Sequence, residues 1–72
     1  MQPTILIVDD EKHTRDGLRS LLNDDYDVYV AADIASAMSV LERDQIDVLI
    51  TDLRLAGDDG MVLIERALKM SR

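Results

Sequence analysis

Ile5-Leu6-Ile7-Val8-Asp9-Asp10 is a run of four aliphatic residues stopped by two acids. The run does not alternate between apolar and polar positions, and it is rich in β-branched side chains. Such a segment reads as a strand buried on both faces, the mark of a parallel sheet. Further along, Asp47-Val48-Leu49-Ile50-Thr51-Asp52 repeats the pattern, again a continuous aliphatic run closed by an acid. These two segments decide the fold class, and the rest of the chain has to connect and cover them.

Between them the periodicity changes. Leu18, Leu21 and Leu22 recur at helical spacing ahead of Asn23-Asp24-Asp25. In Asp27-Val28-Tyr29-Val30 the two valines share one face, an alternation that suits an edge strand. Asp33 is placed to cap a second helix whose stripe is Ala37, Met38, Val40 and Leu41, ending near Arg43-Asp44. Leu53 to Asp59 reads as loop, punctuated by Gly57 and Gly60. A third helix then carries Met61, Ile64, Ala67 and Leu68 on one face, with Glu65 and Lys69 four residues apart as a supporting pair. The order β-α-β-α-β-α with short connections specifies an α/β fold with a parallel sheet, one domain over residues 1–72. Right-handed crossovers and the burial pattern give strand order 2-1-3. The crevice between the first and third strands is then the switch point, where open α/β sheets bind ligands beyond their carboxyl ends.

Composition narrows the function. A chain of 72 residues buries only about 60% of the surface its unfolded form exposes. It has no cysteine, so disulfide staples, thiolate metal sites and catalytic thiols are all excluded. Its only aromatics are Tyr26 and Tyr29, which makes the core aliphatic. The net charge of −7 argues against direct nucleic-acid contact, because affinity for a phosphate backbone rests on Lys and Arg. No basic leader and no apolar run of spanning length is present, so a cytoplasmic location away from the membrane is expected.

The chemistry gathers at the strand ends. Asp9 and Asp10 close the first strand and Asp52 the third, on neighbouring strands about 4.8 Å apart at one sheet edge. Three carboxylates brought together repel one another, and a hard, oxygen-seeking cation resolves the conflict. Mg²⁺ suits such a set, keeping coordination positions for water and phosphate oxygens. An aspartate beside such a cation can also act as a nucleophile toward phosphorus and form an acyl phosphate. The structural alternative is helix capping, since acids are favoured at strand-to-helix junctions. Other residues support less. His13 has no second nitrogen ligand and reads as a surface residue of the first helical turn. Met38, Met61 and Met70 sit within apolar stripes, and Asp24-Asp25-Tyr26-Asp27 reads as a solvated turn. Gly57 and Gly60 match neither the dinucleotide-binding nor the Walker phosphate-loop pattern.

The segments Ile5-Leu6-Ile7-Val8-Asp9-Asp10-Glu11 and Asp47-Val48-Leu49-Ile50-Thr51-Asp52-Leu53-Arg54 resemble the two signature segments of bacterial response-regulator receiver domains. The loop Leu55-Ala56-Gly57-Asp58-Asp59-Gly60 resembles the turn that follows the phosphorylation site in that family. The resemblance implies a flavodoxin-like fold and phosphorylation by a partner histidine kinase. By motif position it makes Asp52 the phosphoacceptor. Asp10 would bind Mg²⁺ directly, Asp9 mostly through water, and Arg54 through its backbone carbonyl. The Thr51-Asp52-Leu53-Arg54 wording is similar to receivers attached to enhancer-binding transcription activators. Two departures stand out. Ala56 occupies the place where the family usually has proline, and the family's last two β-α units have no counterpart here. Those units carry a Ser or Thr and a Lys that contact the phosphoryl group. The only lysines of this chain, Lys12 and Lys69, read as solvated helix charges. Residues 1–72 are therefore expected to form the N-terminal portion of a receiver.

Three functions follow. The first is a Mg²⁺-dependent phosphoacceptor module, not an enzyme, that regulates a transcription output domain outside this chain. The second is a structural or interaction fragment that oligomerises without accepting phosphate. In such a truncated sheet the third strand is an edge, and its exposed Val48, Leu49 and Ile50 would pair two copies antiparallel into a homodimer or seed a higher oligomer. The third is a phosphatase of haloacid-dehalogenase type, with an aspartyl nucleophile. The spacing disfavours it, because that family's strand ends in Asp-x-Asp whereas Asp52 is followed by Leu53 and Arg54.

Overall fold

The computed structural model describes residues 2–55 and 58–70. Its elements are β1 (Thr4–Val8), α1 (Lys12–Leu22), β2 (Asp27–Ala31), α2 (Ile34–Arg43), β3 (Val48–Thr51), β4 (Arg54–Leu55), β5 (Asp58–Asp59) and α3 (Gly60–Met70). The three longer strands form one parallel sheet of order β2-β1-β3, the flavodoxin-like arrangement expected. Leu6 pairs with Tyr29 on one side and Leu49 on the other, and Val8 with Ala31 and Thr51. In parallel register, paired residues share a face.

The central strand is buried as its unbroken aliphatic run requires. Ile5 through Val8 are at most 4% exposed. Leu6, Val8 and Ala31 face Ala37 and Val40 of α2 and Leu63 of α3, forming the core with Leu55. Ile5 and Ile7 point to the opposite face, where α1 packs on β1 and β2. Within the described part this second face is thinly covered. No residue of α1 is buried, and Leu21, expected in its apolar stripe, is 74% exposed. Only Arg15, Leu18 and Leu22 of this helix are half-buried.

Two expectations need correction. The segment after Asp52 is not plain loop: β4 and β5 form a short antiparallel pair, with Arg54 opposite Asp59 and Leu55 opposite Asp58. Burial of Leu55 at 0% exposure anchors this segment in the core. Ala56 and Gly57, also assigned to that loop, lie outside the described residues. The apolar face of α3 is also rotated from Met61, Ile64, Ala67 and Leu68. Met61 and Leu68 are 45% and 69% exposed, whereas Leu63 is fully buried. Gly60 sets this phase, because the helix starts with that residue against the Asp52 carbonyl, and positions three and seven residues later then face the core.

Both N-terminal caps of α1 and α2 are acidic. The Ser36 N–H donates to Asp33 Oδ1 at 2.7 Å, and the Thr14 N–H donates to Glu11 Oε2 at 2.8 Å. Each carboxyl is thereby held below its ordinary pKa, chiefly by the backbone hydrogen bond it accepts. Depressed folded pKa values give stability that is present above the unfolded values of 3.8 and 4.5 and is lost as pH falls through the folded ones. Asp33→Ala is therefore expected to lower the midpoint of thermal unfolding at pH 7 and to flatten the decline of that midpoint below pH 3.8. Melting curves of both proteins across that range check it.

Candidate functional site

The parallel ladder continues one residue past each strand that matters. The Asp9 N–H donates to the Ala31 carbonyl at 3.1 Å, and the Asp52 N–H donates to the Val8 carbonyl at 3.0 Å. These bonds fix the backbone of both acids at the carboxyl edge of the sheet, beyond the buried core. There the carboxylate oxygens of Asp9, Asp10 and Asp52 all lie within 4.8 Å of one another. Asp9 is half-buried, and Asp10 and Asp52 are exposed. Among the described residues this is the one group of three or more acids, histidines or cysteines close enough to share an ion. The acids of Asp24-Asp25-Tyr26-Asp27 do not form a second, and His13 stands outside the group.

Local turns orient the side chains. Asp9 Oδ1 accepts the Glu11 N–H at 2.9 Å, and Asp52 Oδ1 accepts the Arg54 N–H at 3.2 Å. Both are turns in which an aspartate caps its own backbone two residues on. Each of these carboxylates keeps a second oxygen for a ligand. Beneath them, the Gly60 N–H donates to the Leu53 carbonyl at 2.9 Å, closing the segment that carries Asp52 onto the start of α3. A Cβ built at Gly60 would overlap the Asp52 carbonyl oxygen and come within 2.8 Å of Leu53 Cα.

The donor set is three hard, anionic oxygen ligands at an open edge, which fits Mg²⁺ and its preference for few protein carboxylates plus water. Helix capping, the alternative reading of these acids, is not what holds them. The cap of α1 is Glu11, and Asp52 lies eight positions before α3. Arg54 stands beside Asp52 through its N–H. Two contributors were missed by the reading of the sequence: Gly60, whose missing side chain admits Asp52, and Arg15, whose guanidinium Nη1 donates to the Asp9 carbonyl at 2.8 Å. Glycine after an acid-rich turn, and arginine in the opening turn of a helix behind paired acids, are the signals that could have found them.

Comparison with known proteins agrees with this geometry. Residues 5–71 match the response regulator receiver domain family. The chain is 40% identical over 62 residues to the aerobic respiration control protein ArcA of Escherichia coli K12, covering 85% of this chain and 26% of ArcA. It is 30% identical over 66 residues to the hydrogenase transcriptional regulatory protein HoxA of Bradyrhizobium diazoefficiens, covering 92% of this chain and 14% of HoxA. Among solved structures, the non-phosphorylated HemR receiver domain of Leptospira biflexa superposes with a TM-score of 0.88 at 31% identity, covering 97% of this chain and 57% of that one. The chain thus spans little more than half of that receiver and about a quarter or less of the two regulators. By fold, acid cluster and sequence together, the chain belongs to the response regulator receiver domain family.

Proposed function

We propose that this chain is the phosphoacceptor portion of a two-component phosphorelay, with Asp52 taking a phosphoryl group from a histidine kinase. The observation that carries the reading is the convergence of Asp9, Asp10 and Asp52 within 4.8 Å at the sheet's carboxyl edge. Asp9, Asp10, Asp52 and the Arg54 backbone carbonyl hold Mg²⁺. When bound, the ion offsets the repulsion between carboxylate and phosphoryl oxygens. Asp52 is exposed, so its carboxylate oxygen can reach a donor in line. That oxygen attacks phosphorus, the P–N bond of the phosphohistidine breaks, and the imidazole leaves neutral, keeping the proton on its other nitrogen. The product is an acyl phosphate on Asp52. Residues 1–72 form the N-terminal portion of the receiver, and the output is a transcription domain outside this chain, of the enhancer-binding activator type. The module works in the cytoplasm. Among the described residues no helix is long and apolar enough to cross a membrane.

The test is transfer from a phosphorylated histidine kinase domain. Label is expected to move to this chain only with Mg²⁺ present, while a generic phosphate ester is not turned over. Sustained ester turnover would instead favour the dehalogenase-type phosphatase.

Self-association accompanies this reading. Within the described sheet β3 is an edge, and its Val48 is 45% exposed although β3 is aliphatic along most of its length. Open strand edges recruit further strands, and antiparallel pairing of two β3 strands closes a two-fold dimer. The charge of −7 opposes that pairing, so the dimer is expected to strengthen with salt. Light scattering at micromolar concentration is expected to return at least twice the 8.1 kDa chain mass. A monomer mass with a cooperative melt would exclude this pairing.

A further inference from the structure

The opening turn of a helix disfavours cations, because the N–H groups there carry the positive end of the macrodipole. In α1, no acid occupies the first turn, and Arg15 sits there, four residues after the Glu11 cap and hydrogen-bonded to it through the backbone at 3.1 Å. Something must compensate that placement. Long helical side chains lean back toward the N-terminus, and the Arg15 guanidinium does so. Its Nη1 donates to the Asp9 carbonyl at 2.8 Å in a partly buried contact.

That carbonyl belongs to the peptide joining Asp9 to Asp10. Holding it fixes ψ of Asp9 and φ of Asp10, the dihedrals that aim the two acids at Asp52. The remaining groups of Asp9 are also held, its N–H by the Ala31 carbonyl and its Oδ1 by the Glu11 N–H. Arg15 supplies the third restraint, together with a positive charge beside an acidic cluster. Lys12, the other cation of the same turn, is instead paired with Asp16 at 3.5 Å on the exposed side.

We infer that Arg15 is a positioning residue, setting the Asp9–Asp10 peptide so that both acids meet the cation. The inference rests on the cation-binding reading of the site. Residues that orient metal ligands commonly affect metal affinity by roughly 10- to 100-fold. Its test compares the native chain with Arg15→Met, which keeps the apolar stem and removes the donor, and Arg15→Lys, which keeps a charged donor. Three readouts are taken on the full chain: the melting midpoint, the Mg²⁺ dissociation constant by calorimetry, and the Asp10 amide ¹⁵N shift without metal.

Arg15→Met is expected to melt within a few degrees of the native chain, to bind Mg²⁺ about tenfold more weakly, and to move the Asp10 shift. Arg15→Lys is expected to restore most of both. Equal Mg²⁺ affinity in Arg15→Met, or a loss no larger than its unfolded fraction explains, overturns the inference while leaving the site intact. A native chain that binds no Mg²⁺ overturns the site reading and the inference with it. The metal-free Asp10 shift separates these failures, because it reports the Arg15 contact whether or not a cation binds.

Discussion

Gly60→Ala is expected to lower the midpoint of thermal unfolding by more than about 10 °C, although alanine is the better helix former. Gly60 opens α3, and helix propensity alone favours alanine there by about 1 kcal/mol. Packing opposes it. The new Cβ would overlap the Asp52 carbonyl oxygen and lie 2.8 Å from Leu53 Cα. Both atoms are backbone, so neither can swing aside as a flexible side chain would. Overpacking of this kind costs about 1–3 kcal/mol and sometimes more, and backbone overlap belongs at the upper end. A chain of this length holds on the order of 4–10 kcal/mol in total, at roughly 0.05–0.15 kcal/mol per residue. The substitution would also push Asp52 away from Asp9 and Asp10, so Mg²⁺ affinity should fall even in the folded fraction. Circular-dichroism melting with a parallel Mg²⁺ titration checks both parts. An unchanged or raised midpoint would mean that α3 does not press on Asp52.

Asp52→Asn is expected to leave the fold intact and to remove phosphoryl acceptance completely. The side chain is exposed, contributes nothing to the apolar core, and is nearly isosteric with asparagine. The asparagine carbonyl oxygen can still accept the Arg54 N–H that Asp52 Oδ1 accepts at 3.2 Å. What disappears is the anionic oxygen that the proposed function makes both the nucleophile and one of the three charged ligands. Mg²⁺ affinity is expected to drop about tenfold or more by the same loss of charge, with the melting midpoint in metal-free buffer held or slightly raised. A calorimetric titration beside the melt distinguishes this outcome from simple unfolding.

The part of this structure that the sequence makes legible is the part governed by topology. Unbroken aliphatic runs at Ile5–Val8 and Val48–Ile50 mark the strands of a parallel sheet, the first covered on both faces and the second half-buried at the edge of the described sheet. Once the crossovers are right-handed, Asp9, Asp10 and Asp52 must meet at one edge. Asp33 was legible as a cap for the same kind of reason, because it precedes the first periodic residue of α2. Less legible were features set by contacts rather than by period. Strands β4 and β5 are two residues each, too short for any alternation to show. The phase of α3 depends on Gly60 meeting the Asp52 carbonyl, and hydropathy alone placed Met61 and Leu68 inward instead of Leu63. The exposure of Leu21 reflects what lies on its side of the sheet, where α1 has no helix neighbour among the described elements comparable to the α2–α3 pair. The Arg15 contact rests on how far one side chain reaches back along its helix, which no spacing rule encodes.

The measurement that bears most directly on the phosphoacceptor reading is the intact mass of the chain after incubation with Mg²⁺ and a small phosphodonor. Asp52→Asn and a metal-free sample run beside it. The native chain is expected to gain one phosphoryl group, and neither control any. No gain by a native chain shown to be folded, or an equal gain by Asp52→Asn, would contradict the assignment of Asp52 as the acceptor.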